Sequence, residues 1–410
     1  MPRVLLLLPT TSYRIPDFLA AAERLGVEVA VASEEASSME PLNPTGLLTL
    51  DFGDPRGAAG KAAEFASRHP VAAVVGVDER TAIAAAAISE RLGLPHNPVP
   101  AARAAGNKAV MREALARAGA PGPAFRLHAL DDDAKAAAGL ARYPCVLKPT
   151  FLAASRGVIR ADDPEGFVAA WRRIARILRE PEVAARGGAA AREILVEEFV
   201  PGAEAALEGL LDAGRLRVLA LFDKPDPLAG PFFEETIYVT PSRLPPDLQV
   251  RCADVAAAGA RALGLVHGPV HAEMRINKDG VFLVEIAARS IGGLCSRTLR
   301  FGTGLSLEEV ILAHALRREP VVPERQGPAA GVMMIPIPKG GVLEEVRGVE
   351  AARAIPDVVE VTITAALRRP IVPLPEGDRY LGFIFSRAES PERAEAALRE
   401  AHARLEFEIR

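Results

Sequence analysis

The stretch from Val266 to Leu294, VHGPVHAEMRINKDGVFLVEIAARSIGGL, constrains this chain more than any other. Two alternating runs, His271 to Ile276 and Val281 to Ile286, flank a turn signal ending in Asp279-Gly280, the pattern of an antiparallel hairpin. A loop of Lys278-Asp279-Gly280, with Gly280 in the left-handed region, puts Asn277 opposite Val281 and Glu273 opposite Glu285. Carboxylates that face each other with β-carbons about 5 Å apart repel unless a cation lies between them. This register therefore predicts a divalent metal. His271 and Arg275 share the same face, and Arg289 and Gly292-Gly293 follow the second strand. Two carboxylates, an arginine and a glycine turn suit magnesium with anionic oxygens, because Mg2+ takes one or two carboxylates plus phosphate oxygens and water. The same stretch also reads as a surface hairpin with solvated acids and a register one residue away.

A chain of 410 residues, 49% hydrophobic and 25% charged, has the composition of a soluble protein of two to four domains with a sizeable core. A net charge of −4 leaves no broad basic surface for nucleic acid, so anion binding must be local. Cys145, Cys252 and Cys295 are isolated and lack metal-ligand spacing, which points to small core residues in a reducing cytoplasm. The apolar run Val4 to Leu8 stops at Pro9, too short for a signal peptide, and no small-residue cleavage site follows. No apolar stretch approaches the roughly 20 residues that span a bilayer.

The N-terminal third alternates strands and helices. Strands are expected at Val4 to Leu8, Val27 to Ala32, Leu47 to Asp51 and Val71 to Val75, with helices at Pro16 to Leu25, Gly57 to Arg68 and Arg80 to Leu92. Continuous apolar strands between amphipathic helices make a parallel sheet covered on both faces, a Rossmann-like layer. The first turn, Pro9-Thr10-Thr11-Ser12, carries no GxGxxG, which removes a nicotinamide dehydrogenase from consideration. After the fourth strand, Asp78 suits a helix cap, and Glu79 stands at the carboxyl end of the sheet, where such folds place ligands.

Beyond Pro95, Pro98 and Pro100 a helical run from Ala101 to Ala118 contains Asn107-Lys108, with Arg112 one turn on; a lone helical lysine is ordinarily solvated. The strand Tyr143 to Pro149 delivers Lys148 into a loop of small residues closing in Ser155-Arg156-Gly157-Val158, which lets backbone N–H groups approach phosphate. A helix, Pro164 to Leu178, precedes the strand Glu193 to Val200, whose edge can meet an adenine while Glu204 accepts from a ribose. Proline density in Phe222 to Pro241 marks a loop over that site carrying Lys224 and Glu234-Glu235. A helix at Leu305 to Ala315 capped by Ser306, strands at Gly331 to Pro336, Val358 to Thr364 and Tyr380 to Phe385, and a helix at Pro391 to Leu405 complete the chain.

Asn107-Lys108, VLKP at Val146, SRGV at Ser155, VEEFVPGAE at Val196, HAEMR at His271 and LVEIAAR at Leu283, in that order, resemble the ATP-grasp superfamily over about residues 100 to 315. GVDERTA followed by GLPHNP, together with the C-terminal RYLGFIFSRAESPERAEAALREAHARLEF, looks like its L-amino acid ligase branch. With those segments the resemblance covers nearly the whole chain.

The resemblance implies an α/β and α+β multidomain protein of ATP-grasp fold. An N-terminal Rossmann-like domain occupies 1–97. An ATP-grasp domain follows at 98–327, its lid lobe about 124–201 and its two α+β lobes sandwiching ATP. A small α+β subdomain at 328–410 closes over the site and offers a surface for a homodimer. It further implies that Lys108 and Lys148 hold nucleotide phosphates, that Ser155, Arg156, Gly157 and Val158 fold over them, and that Glu197, Glu198 and Val200 form the adenine hinge. Glu204 takes the ribose, Glu273 and Glu285 hold Mg2+ or Mn2+, Arg289 lies at the transferred phosphate and His271 near the substrate. The implied activity is an ADP-forming carboxylate–amine ligase of the cytoplasm, which activates a carboxylate as an acylphosphate that an amine then attacks. A carboxylase or purine-pathway-like enzyme activating bicarbonate is the variant, and a nucleotide-binding subunit without catalysis is the alternative class. Two departures bear on this choice. Where the family motif reads E-x-N-x-R, this chain has Glu285-Ile-Ala287-Ala288-Arg289, so the third metal ligand is an alanine, and Leu152, Ala153 and Ala154 stand where glycines are common.

Overall fold

The computed structural model describes the whole chain except Ser38, Thr303 and 319–326, and the side chain of Pro41. At the N-terminus four parallel strands lie in the order Leu47–Thr49, Glu28–Ser33, Arg3–Leu7, Ala73–Gly76. Alternation along the first strand explains why it is apolar throughout. Leu5 and Leu7 pack against Phe52, Phe65 and Ile88 on one face, and Val4 and Leu6 belong to the core on the other. That second core also contains Phe222, Leu307, Leu312 and Phe383, so the N-terminal sheet is packed directly onto the rest of the molecule.

The expected helix from Ala101 to Ala118 is two helices, Val99–Ala105 and Lys108–Arg117. They part at Gly106-Asn107 because the Asn107 side chain accepts the N–H groups of Ala109 and Val110, starting the second helix afresh.

The lid lobe is a four-stranded antiparallel sheet in the order Phe125–Ala129, Glu193–Glu198, Cys145–Pro149, Ile159–Ala161. The helix Pro164–Leu178 covers it, burying Phe167, Trp171, Ile174 and Leu178 against Leu147 and Ile194. Facing the lid is an antiparallel sheet of eight strands, in the order Gly280–Ala287, Gly268–Asn277, Ala203–Asp212, Arg215–Lys224, Ile237–Thr240, Ala329–Ile335, Gly382–Ala388, Val358–Ile363. Strands on both sides of residue 327 thus belong to one sheet. Lys224 ends a strand, and Ile237–Thr240 is itself a strand, so the proline-rich loop is shorter than Phe222 to Pro241.

The hairpin of Gly268–Asn277 and Gly280–Ala287 forms one edge of this sheet. Its turn is tighter than expected: Asn277 pairs with Gly280, Ile276 with Val281, and Met274 with Leu283. Left uninterrupted, that register would set Val284 opposite Glu273 and turn Glu285 to the other face. A β-bulge at Val284 intervenes, and Glu273 pairs with Glu285 after all. Leu283 and Ile286, three positions apart, both enter the core against the helix Pro246–Leu263, a spacing that only the bulge allows on one face. Among the described residues no helix is long and apolar enough to cross a membrane, and the three cysteines are buried and unpaired.

Candidate active site

Between the lid and the large sheet runs a cleft of about 730 Å³, lined by Lys108, Lys148, Ser155, Val158, Glu197, Glu198, Val200, Glu204, Glu273 and Glu285 among others. Residues separated by up to 177 positions meet there, Lys108 from the start of a helix, Lys148 and Glu197 from strands of the lid, and Glu273 and Glu285 from the hairpin.

Lys108 opens its helix. Its Nζ donates to the Leu152 carbonyl at 2.9 Å and lies 3.2 Å from Glu285, and its N–H donates to Thr150 at 2.7 Å. Burial works against the charge, but Glu285 and Glu79 outweigh it and raise the Lys108 pKa. Lys148, at the end of the lid strand, has its Nζ 2.6 Å from Glu197, and burial pulls its pKa down. Glu197 also accepts from Arg112 Nε at 2.5 Å. Burial alone would favour the neutral acid, yet Arg112 and Lys148 hold it down at about 2. The Glu197 side chain is therefore a charge hub beneath the hinge, while its neighbours Glu198 and Val200 face the cleft.

On the hairpin, Glu273 lies 3.4 Å from His271 Nε2 and 3.6 Å from Lys224 Nζ. His271 Nδ1 is 3.3 Å from Glu208, a fully buried carboxylate that also accepts the Ile291 N–H. Burial disfavours the imidazolium, but Glu208 and Glu273 together raise the His271 pKa to about 9. Lys224 binds Glu204 and Glu235, each at 2.5 Å, and Glu204 also meets Arg275 at 2.6 Å. Carboxylate oxygens of Glu204, Glu235 and Glu273 lie within 4.8 Å of one another. The expected ribose carboxylate is thus already engaged by two cations, and Glu235 joins the acid group unforeseen.

From the N-terminal sheet, Asp78 caps its helix and Glu79 reaches Arg289 at 3.4 Å. In the small-residue loop, Ala154 and Ser155 adopt φ of 53° and 54° and Gly157 75°, so the loop keeps left-handed backbone where side chains replace glycine. Each such residue with a Cβ costs about 1–2 kcal/mol. Ser155 and Val158 face the cleft, but Arg156 turns to Glu180 at 2.5 Å, and the Gly157 N–H donates to the Pro375 carbonyl at 2.8 Å. The segment around Pro375 thereby ties the C-terminal unit to the loop, and Glu376 adds a two-point pair with Arg173 on the lid helix.

Sequence comparison accounts for this assembly. The chain matches the ATP-grasp domain over 141–298, the ATP-grasp N-terminal domain over 19–96 and the L-amino acid ligase C-terminal domain 2 over 333–410. It is 30% identical to D-alanine–D-alanine ligase of Desulforudis audaxviator, over 51% of this chain and 67% of that protein. The chain belongs to the ATP-grasp superfamily.

The crystal structure of the L-amino acid ligase from Bacillus licheniformis superposes with a TM-score of 0.83 at 26% identity, covering 100% of this chain and 99% of that one. Carnosine synthase 1 of Gallus gallus is 32% identical over 65% of this chain, which spans 30% of that protein's length. Within the superfamily pattern, Ala287 is buried and paired with His271, so no donor stands at the third ligand position. Glu235 stands beside Glu273 instead, close enough for burial and the facing Glu273 charge to raise its pKa to about 7.

Of the charged residues that complete or support the site, Arg112 and Glu235 are noted in the sequence without a role, and Glu208 is not noted. Arg112 had a signal, its position one turn after Lys108 on the same helix face. Glu208 had the weaker signal of a charge within an apolar strand, LEGLL. Glu235 had none beyond its place in a proline-rich segment.

Proposed function

We propose that this chain is an ADP-forming, ATP-dependent carboxylate–amine ligase that joins amino acid substrates through an acylphosphate. The observation that carries the reading is the convergence of Lys108, Lys148 and the facing pair Glu273 and Glu285 on one cleft between two lobes, with Arg289 close enough to Glu285 and Glu273 for their charges to raise its pKa. Relatives named as amino acid ligases support it, as does the likeness to an L-amino acid ligase along the full chain.

A carboxylate is a poor acyl donor, and phosphorylation by ATP turns its oxygen into a phosphate leaving group. Such a transfer asks the protein for alignment and charge neutralisation more than covalent work. Lys108 and Lys148 are buried cations facing the phosphate side of the cleft, and the Ser155–Val158 segment covers it. Glu198 and Val200 present the hinge to the adenine. Glu273 and Glu285, with Glu235 alongside, are an oxygen donor set of the kind hard divalent cations prefer, and would hold Mg2+ or Mn2+. Held there, the ion would supply charge neutralisation for the nucleotide phosphates. Arg289, steered by Glu79, stabilises negative charge on the transferred phosphoryl group, and protonated His271 adds a positive charge beside Glu273 on the substrate side.

A phosphate-release assay over pairs of amino acids, with mass spectrometry of the product, tests the proposal. Release that requires two amino acids, with a product heavier by an amide condensation, is the expected result. Release that depends on bicarbonate would move the chain to the carboxylases, and ATP binding without any release would reduce it to a nucleotide-binding subunit.

A further inference from the structure

We infer that Arg112 is the positioning residue that sets Glu285 opposite Glu273, by holding the bulge in the hairpin. The inference rests on the proposed metal role of that glutamate pair and extends it to a residue outside the site.

The hairpin leaves its turn in a register that would place Val284, and not Glu285, across from Glu273. Only the extra residue at Val284 turns Glu285 into the cleft, where both residues stand side by side on the lining. A bulge leaves ladder groups unmatched, and at an edge strand those groups have no neighbouring strand to meet. Arg112 meets them. Its Nη1 donates to the Leu283 carbonyl at 3.0 Å, and its Nη2 donates to the Val284 carbonyl. The Leu283 N–H donates outward to the Pro121 carbonyl at 3.0 Å, so the strand is clamped just before Glu285. Arg112 is 2% exposed, and its remaining donor, Nε, is taken by Glu197.

One helix thus reads the hairpin at two adjacent points. Lys108 contacts the Glu285 carboxylate, and Arg112, one turn later, holds the backbone that aims it. A planar fork is required for this, since a lysine ammonium on a flexible stem does not fix two successive carbonyls and a carboxylate at once. Arg112 acts through Glu285 and is not among the residues that line the cleft.

The test uses Mn2+ as probe. Free Mn2+ is followed by its EPR signal as it is titrated into the full chain with ADP present and no turnover. Outer-shell partners of metal ligands typically govern about 10–100-fold in metal affinity. Arg112→Lys is therefore expected to weaken Mn2+ binding by about tenfold or more, with ADP affinity in the absence of metal unchanged. In phosphate release, the Mg2+ concentration for half-maximal rate should rise while kcat at saturating Mg2+ is retained. Deleting Val284 gives an independent arm, because uninterrupted alternation then sets a glutamate opposite Glu273 without a bulge. In that background Arg112→Lys should have no further effect on Mn2+.

Unchanged Mn2+ affinity in Arg112→Lys overturns the inference, as does a further loss on adding Arg112→Lys to the deletion. A wild-type chain that binds no Mn2+ with ADP overturns the metal reading of Glu273 and Glu285 itself.

Discussion

Replacing Lys148 by methionine separates the structural work of this lysine from its chemical work. The ammonium lies 2.6 Å from Glu197 in a buried setting. Removing one partner of a buried ion pair costs about 3–5 kcal/mol when the other charge is left uncompensated. Glu197 retains Arg112 at 2.5 Å, so the expected loss is nearer the about 1–3 kcal/mol of one unmet buried acceptor. The unfolding midpoint should fall by a few degrees, with a folded and soluble product. The loss of a preorganised positive charge at the phosphates should lower kcat by about 10²–10³. Phosphate release and thermal unfolding are measured on the same samples. The double variant Lys148→Met/Glu197→Gln removes the stranded charge, so its midpoint should recover towards the wild type while turnover stays lost. Near-normal turnover in Lys148→Met, or recovery of activity along with stability in the double variant, would refute the assignment of Lys148 to the nucleotide.

Glu285→Gln keeps the shape of the side chain and removes one charge of the facing pair. It should weaken Mn2+ binding and suppress phosphate release while leaving the unfolding midpoint near that of the wild type, and normal release would contradict the metal role. Gly202 follows the hinge at φ 127°, and a Cβ there would lie 2.1 Å from the Ile276 carbonyl oxygen. Gly202→Ala should therefore cost at least the about 1–3 kcal/mol of a strained backbone conformation, seen in denaturant unfolding, and raise the KM for ATP by displacing the hinge. His267 stacks on His314 at 4.5 Å, and burial, reinforced by that neighbour, lowers its pKa from the ordinary 6.5 to about 4. A folded-state value below the unfolded one means that the unfolded chain binds the proton first. Stability should fall as pH drops from 6.5 towards 4, and His267→Gln should flatten that part of the pH–stability curve.

The hairpin shows what local pattern conveys and what it omits. The two runs His271 to Ile276 and Val281 to Ile286, and the position of one glutamate in each relative to the turn, sufficed to place Glu273 opposite Glu285. The path to that pairing differs from the expected one. The turn is one residue shorter than expected, and the bulge at Val284 restores the offset. A bulge leaves almost no mark on a hydrophobic pattern, because its stabilising partner, Arg112, lies 172 positions away. Lys148 and the hinge were legible because each ends an apolar run, whereas Lys108, at the start of a helix, gained its role only from the order of motifs that follow it. The engagement of Glu204 by Lys224 and Arg275 was not, since charge pairing across strands depends on which strands become neighbours. Proline density around Lys224 suggested a loop, and the pairing of Asp223 with Val239 across that segment overrides it.

The large sheet runs without interruption from the hairpin to Val358–Ile363, and so joins the segment that matches the ATP-grasp domain to the one that matches the L-amino acid ligase C-terminal domain 2. Ile237–Thr240 bonds to Ala329–Ile335 over Ile237↔Met333 to Thr240↔Ala330. An ancestor that acquired a new C-terminal module could not simply append it. The incoming piece had to supply a strand of matching register and alternation, or leave a bare apolar ladder open to aggregation. Grafting experiments between relatives should succeed when the junction carries Ala329–Ile335 with the graft and fail when it cuts the ladder.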